Sequence, residues 1–99
     1  MRILIVEDEP RVAAALKEGL EAEGYEVTLA GTGEDGFFHA SARAFDLIVL
    51  DIMLRGRDGL EVLSALRRQD NATSVILLTT RDGLKTAYSA PMRGGRLPR

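Results

Sequence analysis

Two unbroken aliphatic runs end in carboxylates: Ile3-Leu4-Ile5-Val6 at Glu7-Asp8, and Leu47-Ile48-Val49-Leu50 at Asp51. A strand with no polar alternation is buried on both faces, as in a parallel sheet covered by helices. Both runs finish in acids, which therefore gather at the carboxyl edge of the sheet, where open α/β folds bind ligands. Three converging carboxylates repel one another unless a hard cation sits between them. Mg²⁺ suits such a set, because it takes oxygen ligands and keeps several waters. The implied chemistry is a carboxylate-held Mg²⁺ serving phosphoryl transfer. Simple solvation of acids at strand ends would explain either run alone, but not the coincidence of two.

Helical and extended patterns alternate along the rest of the chain. Pro10 suits a first helical turn, where its missing N–H is no loss. Val12, Leu16 and Leu20 follow at spacing four with Ala13 beside them, and Gly24 is a stop signal. Residues 26–30 alternate as a half-exposed strand, with Val27 and Leu29 between Glu26 and Thr28. Gly31-Thr32-Gly33 is a turn, and residues 34–44 read as a helix with Phe37, Phe38 and Ala40 facing the core. Residues 55–59 are loop chemistry. Leu60, Leu63 and Leu66, widened by Val62, indicate a third helix ended by Asp70-Asn71. Val75-Ile76-Leu77-Leu78 is a fourth buried strand ending at Thr79-Thr80, where a hydroxyl suits a phosphoryl oxygen. The order β-α-β-α-β-α-β predicts a doubly wound α/β fold with helices on both faces. The pattern stops near Arg81. Residues 82–99, with Gly83, Gly94, Gly95, Pro91 and Pro98, show no apolar period and are expected to be poorly ordered.

Composition narrows the function. Ninety-nine residues form one domain at most, with a thin stability margin. The absence of cysteine excludes disulfides and thiolate metal sites. No apolar run nears the roughly 18 residues of a membrane helix. The N-terminal run meets acids too soon for a signal peptide, so the expected compartment is the cytoplasm. Residues 1–81 carry 9 Lys/Arg against 14 Asp/Glu, a balance of −5, while residues 82–99 carry 4 against 1, a balance of +3. The acidic part disfavours non-specific nucleic-acid binding.

Four stretches together carry a specific resemblance: Ile-Leu-Ile-Val-Glu-Asp-Glu-Pro at 3–10, Asp-Leu-Ile-Val-Leu-Asp-Ile-Met-Leu at 46–54, Asp-Gly-Leu-Glu at 58–61 and Ile-Leu-Leu-Thr at 76–79. Residues 1–81 resemble the receiver domain of bacterial two-component response regulators, in the style of those with a winged-helix DNA-binding domain. The resemblance implies a flavodoxin-like fold with four of its five usual strands. It implies Asp51 as phosphoacceptor, receiving a phosphoryl group from a sensor histidine kinase. Glu7, Asp8, Asp51 and the backbone carbonyl of Met53 would hold Mg²⁺, and Thr79 would hydrogen-bond the phosphoryl group and report its arrival. Such a chain is a phosphoacceptor with at most self-catalysed phosphorylation and dephosphorylation. DNA binding and the family's dimerisation face, built from its fourth helix, fifth strand and fifth helix, are not expected in this chain.

Several features depart from that pattern. Arg55 stands where Pro is usual, loosening the loop or adding a cation beside Asp51. Thr80 stands where Ala is common. The family's Lys-Pro after the fifth strand has no counterpart, since Lys85 comes too early, so phosphate acceptance is expected to be slow. Gly95-Arg96-Leu97-Pro98-Arg99 matches an alternate-frame reading of the family's text near its fifth strand, which implies a frameshift between about Arg81 and Gly95 followed by truncation. A non-catalytic fragment that at most binds the kinase is the alternative. A third reading, nucleotide binding, rests on Gly31-Thr32-Gly33-Glu34-Asp35-Gly36, which fits G-x-G-x-x-G. That motif follows the second strand and would set two acids beside a pyrophosphate, so it reads better as a turn with acids at a helix start. His39, the only histidine, reads as a helix-surface residue rather than a phosphocarrier.

Overall fold

The computed structural model describes residues 1–55, 57–79 and 85–90. The elements are β1 (Arg2–Val6), α1 (Pro10–Ala22), β2 (Glu26–Ala30), α2 (Gly33–Ala42), β3 (Leu47–Asp51), α3 (Gly59–Arg68), β4 (Ser74–Thr79) and β5 (Lys85–Ala90). The sheet order is β2-β1-β3-β4-β5. The first four strands are parallel, as their aliphatic runs predict. The chain moves from β1 outward to β2, then returns past β1 to β3 and β4. Right-handed crossovers therefore put α1 on one face and α2 and α3 on the other. The reversal between β1 and β3 opens a crevice at their carboxyl ends.

Alternation along each strand divides the core into two layers. Ile3, Ile5, Val49 and Leu78 pack with Leu16 and Leu20 of α1. Leu4, Val6, Ile48, Leu50, Val75 and Leu77 pack with Ala40 of α2 and with Val62 and Leu66 of α3. The helix starts follow capping rules. Glu9 caps α1 by accepting from the Arg11 N–H, with Pro10 in the first turn. Thr32 Oγ1 accepts from the Asp35 N–H at 3.1 Å to start α2. Asp58 Oδ1 accepts from the Leu60 N–H at 2.7 Å to start α3. Gly24 stops α1 with φ of 92°. Asp70 takes a left-handed φ of 62° after α3, and Asn71 Nδ2 then donates to the Ala40 carbonyl of α2 at 3.1 Å.

Three expectations are corrected. Phe38 is 66% exposed and Leu60 51% exposed. The inward stripe of α3 is Val62, Ala65 and Leu66, an i, i+3, i+4 set that the spacing-three leucines obscured. Within residues 82–99, where no regular element was expected, Lys85–Ala90 forms β5, antiparallel to β4, with a register shift between Leu77 and Leu78. The cause is the edge of β4: a strand with unpaired N–H and C=O groups pairs with any extended segment that reaches it. Thr86-Ala87-Tyr88-Ser89-Ala90 holds no Gly or Pro to prevent this, but it also lacks the aliphatic run that marks a strand in sequence. The four parallel strands and the fold class stand as expected. Thr80, Gly83 and residues 91–99, including the Gly95–Arg99 text, lie outside the described residues.

Gly36 and Gly59 mark close approaches that only a bare Cα permits. A Cβ at Gly36 would meet both methyls of Val6 at 2.7 Å, so α2 rests on the end of β1. A Cβ at Gly59 would overlap the Asp51 carbonyl, so α3 starts directly against the end of β3.

Leu66 has no exposed surface, whereas Phe38 is largely solvated. Leu66→Ala should therefore cost about 2–5 kcal/mol, and Phe38→Ala no more than about 0.5 kcal/mol. Urea unfolding followed by circular dichroism measures both.

Candidate functional site

The carboxyl ends of β1 and β3 bring the acids together. Asp51 ends β3 and is 1% exposed; Glu7 follows β1 and is 3% exposed. Asp8 is half-buried beside them. One carboxylate oxygen from each of Glu7, Asp8 and Asp51 lies within 4.8 Å of the others. Glu7 is fixed by sheet pairing, its N–H donating to the Ala30 carbonyl at 3.0 Å. Its Oε2 accepts from the Glu9 N–H at 2.9 Å. Asp51 Oδ1 accepts from the Met53 N–H at 3.1 Å. Asp8 Oδ2 accepts from the Arg55 N–H at 3.1 Å, which ties the loop after β1 to the loop after β3.

Glu7 Oε1 and Asp51 Oδ2 are buried without a hydrogen-bond partner. A buried unpaired carboxylate oxygen is costly, and the electrostatics record that cost. Burial pushes the Glu7 carboxyl up to about 7, with Asp51 and Asp8 adding like charge against the lowering effect of the Glu9 N–H. Burial likewise raises the Asp51 carboxyl above the usual range, against the lowering effect of the Met53 N–H. Near neutral pH the cluster holds a proton or needs a positive charge in its place. An all-oxygen donor set with two orphaned oxygens suits a hard divalent cation.

The other expected residues fall at the same edge. Met53 lies in the loop after β3, with its N–H on Asp51. Thr79 is the last residue of β4. Asp51 pairs in register with Leu78, and the Ile52 N–H donates to the Leu78 carbonyl at 3.0 Å, so Thr79 comes next at this edge. The Thr79 side chain lies outside the described residues. Register sets Lys85 of β5 opposite Thr79. A cleft of about 300 Å³ opens between Asp8 and the loop after β3, with Met53, Arg55 and Asp58 on its walls.

Sequence reading missed the parts that hold these acids. Glu9 serves twice, its N–H on Glu7 and its side chain capping α1; an acid just before Pro10 was the available signal. Main-chain donation from Arg55 to Asp8 has no sequence signal. The glycine motif proves to be packing: a Cβ at Gly33 would overlap the Arg57 backbone, and Arg57 pairs with Glu34 at 3.5 Å. His39 packs edge-on against Phe38 in α2.

A family model for the response regulator receiver domain matches residues 3–95. The uncharacterized transcriptional regulatory protein YkoG of Bacillus subtilis is 50% identical over 82 residues, 83% of this chain and 36% of that protein. The transcriptional regulatory protein PcoR of Escherichia coli is 44% identical over 84 residues, 85% of this chain and 37% of that protein. The chain thus spans little more than a third of these relatives. Among solved structures, the response regulator TrrA of Thermotoga maritima, in complex with Mg²⁺ and BeF, superposes with a TM-score of 0.76 at 42% identity, covering 80% of this chain and 69% of that one. A Francisella receiver domain superposes with a TM-score of 0.78 at 32% identity, covering 83% and 68%. The chain belongs to the response regulator receiver domain family, the phosphoacceptor modules of two-component signalling.

Proposed function

We propose that Asp51 is the phosphoacceptor and that Glu7, Asp8, Asp51 and the Met53 carbonyl hold Mg²⁺ beside it. The observation that carries this reading is the pair of orphaned buried oxygens on Glu7 and Asp51 at the β1/β3 crevice. When bound, Mg²⁺ supplies positive charge that offsets repulsion between carboxylate and phosphoryl oxygens. The chain's own residues do the rest. The Met53 N–H holds one Asp51 oxygen and fixes the carboxylate plane. A carboxylate oxygen of Asp51 attacks phosphorus; the O–P bond forms as the P–N bond of a phosphohistidine, or the P–O bond of an acyl phosphate, breaks. Burial at the end of β3 keeps bulk water from the product. Thr79, at the adjacent strand end, is the proposed hydrogen-bond donor to the phosphoryl group.

A sensor histidine kinase is the proposed donor, as receivers of this family interact with such kinases. Docking falls to α1 and the neighbouring loops, where Val12, Ala15 and Leu16 line a shallow apolar hollow beside Arg11. The relatives' names point to gene control as the output. The −5 balance of residues 1–81 gives the receiver no electrostatic affinity for DNA. Among the described residues no helix is long and apolar enough to cross a membrane, in keeping with the proposed cytoplasmic setting. The non-catalytic-fragment alternative is not favoured, because the three acids converge as an acceptor site requires.

Acetyl phosphate with Mg²⁺ should add one phosphoryl group per chain, read by intact mass. Asp51→Asn should abolish the adduct, and persistence of the adduct in that variant would remove Asp51 from the role. The raised Glu7 carboxyl sets a pH dependence. Below about pH 4.5 it is protonated in folded and unfolded chains alike. As pH rises to about 7 the unfolded chain releases the proton first, so without a divalent cation stability should fall across that window. Glu7→Gln should flatten this slope, and Mg²⁺ should offset it by replacing the proton. Urea midpoints of both chains at about pH 5 and about pH 8 measure the effect.

A further inference from the structure

The cleft beside the acids is lined, among the described residues, by one cation, Arg55. The nearby Arg57 is committed elsewhere: its Nε lies 3.5 Å from Glu34 and 3.0 Å from Glu61, and its guanidinium sits 4.7 Å over the Phe37 ring. Arg55 makes two different contacts with one acid. Its main-chain N–H donates to Asp8 Oδ2 at 3.1 Å. Its Nε lies 3.8 Å from the same oxygen, on a side chain that is 85% exposed while that of Asp8 is 20% exposed. The first contact fixes where the carboxylate points. The second neutralises it through a solvated arm, and such a pair is weak and easily exchanged.

We propose that Arg55 is a positioning residue for Asp8: its N–H orients the carboxylate, and its guanidinium is a placeholder charge that a divalent cation displaces. This rests on the reading of Asp8 as a cation ligand. The two contacts act on cation affinity with opposite sign. An oriented carboxylate binds better, because second-shell donors hold a ligand in place. A guanidinium beside the site repels the incoming cation. Once displaced, the arm stands at the mouth of the cleft, where its planar fork matches an incoming phosphoryl group. Proline, usual in the family at this position, has no N–H to donate and no charge, so both effects are peculiar to a chain with another residue there.

Three chains separate the effects: the unsubstituted chain, Arg55→Ala, which keeps the N–H, and Arg55→Pro, which loses it. Mg²⁺ is titrated into each at low ionic strength, read by the amide shifts of Asp8, Met53 and residue 55 where it has an N–H. Arg55→Ala should bind Mg²⁺ about twofold to fivefold more tightly than the unsubstituted chain, and the gain should fade near about 1 M NaCl, where screening acts within about 3 Å. Arg55→Pro should bind about tenfold more weakly than Arg55→Ala. Equal affinities in all three chains overturn the proposal while leaving the metal site intact. An unsubstituted chain whose amides ignore Mg²⁺ overturns the metal site itself, and the role of Arg55 with it.

Discussion

Two carboxylates buried side by side at the end of a parallel sheet set the terms for the rest of this molecule. Glu7 and Asp51 are almost wholly removed from water, and each leaves one oxygen without a partner. Such an arrangement opposes folding whenever both groups are charged. It persists because the surrounding core is a dense aliphatic sheet, whose strands carry the acids to the crevice as a by-product of their register. Ile3 to Val6 pair with Leu47 to Leu50 residue for residue, so Glu7 and Asp51 arrive at the same level. A slip of one residue would send every inward side chain to the wrong face, and the site is therefore as well specified as the core.

The helices complete what the strands begin. Glycine at residue 59 lets the start of α3 press against the Asp51 carbonyl, and glycine at residue 36 lets α2 settle on Val6. Neither contact tolerates a Cβ without movement. The loop after β3 is pinned at two points, by the Met53 N–H on Asp51 and the Arg55 N–H on Asp8. The acids thus organise the loop as much as the loop organises the acids, and a change in charge at Asp51 acts directly on the Met53 N–H.

Much of this was legible in the chain, for a definite reason. Parallel strands buried on both faces have no choice but unbroken aliphatic runs, so Ile3–Val6, Leu47–Leu50 and Val75–Leu78 announce themselves, and so do the acids that end two of them. Capping is equally local, and Pro10 and Gly24 sit where α1 begins and stops. What depends on neighbours was not legible. The leucines of α3 suggest an inward Leu60, but the helix turns Val62, Ala65 and Leu66 to the sheet because Gly59 docks on Asp51. Strand β5 was missed because an antiparallel edge strand is recruited by its partner's free backbone, and its own side chains need not be aliphatic. Main-chain donors such as the N–H of Arg55 leave no trace in residue type at all.

Folding and cation binding are one equilibrium in a site like this. The unfolded chain spreads Glu7, Asp8 and Asp51 across more than forty positions of sequence and offers a divalent ion no cage. A cation that binds only the folded form adds stability in proportion to the logarithm of its concentration over its dissociation constant. The burial that raises the Glu7 carboxyl would favour a cation that took the place of the proton. If Mg²⁺ binds as proposed, this coupling would account for a small domain that keeps two unpaired buried oxygens at its most protected point. On the proposed Mg²⁺ reading they would destabilise the metal-free fold and gain their partner when the cation binds, which would tie the charge state of one crevice to the stability of the sheet.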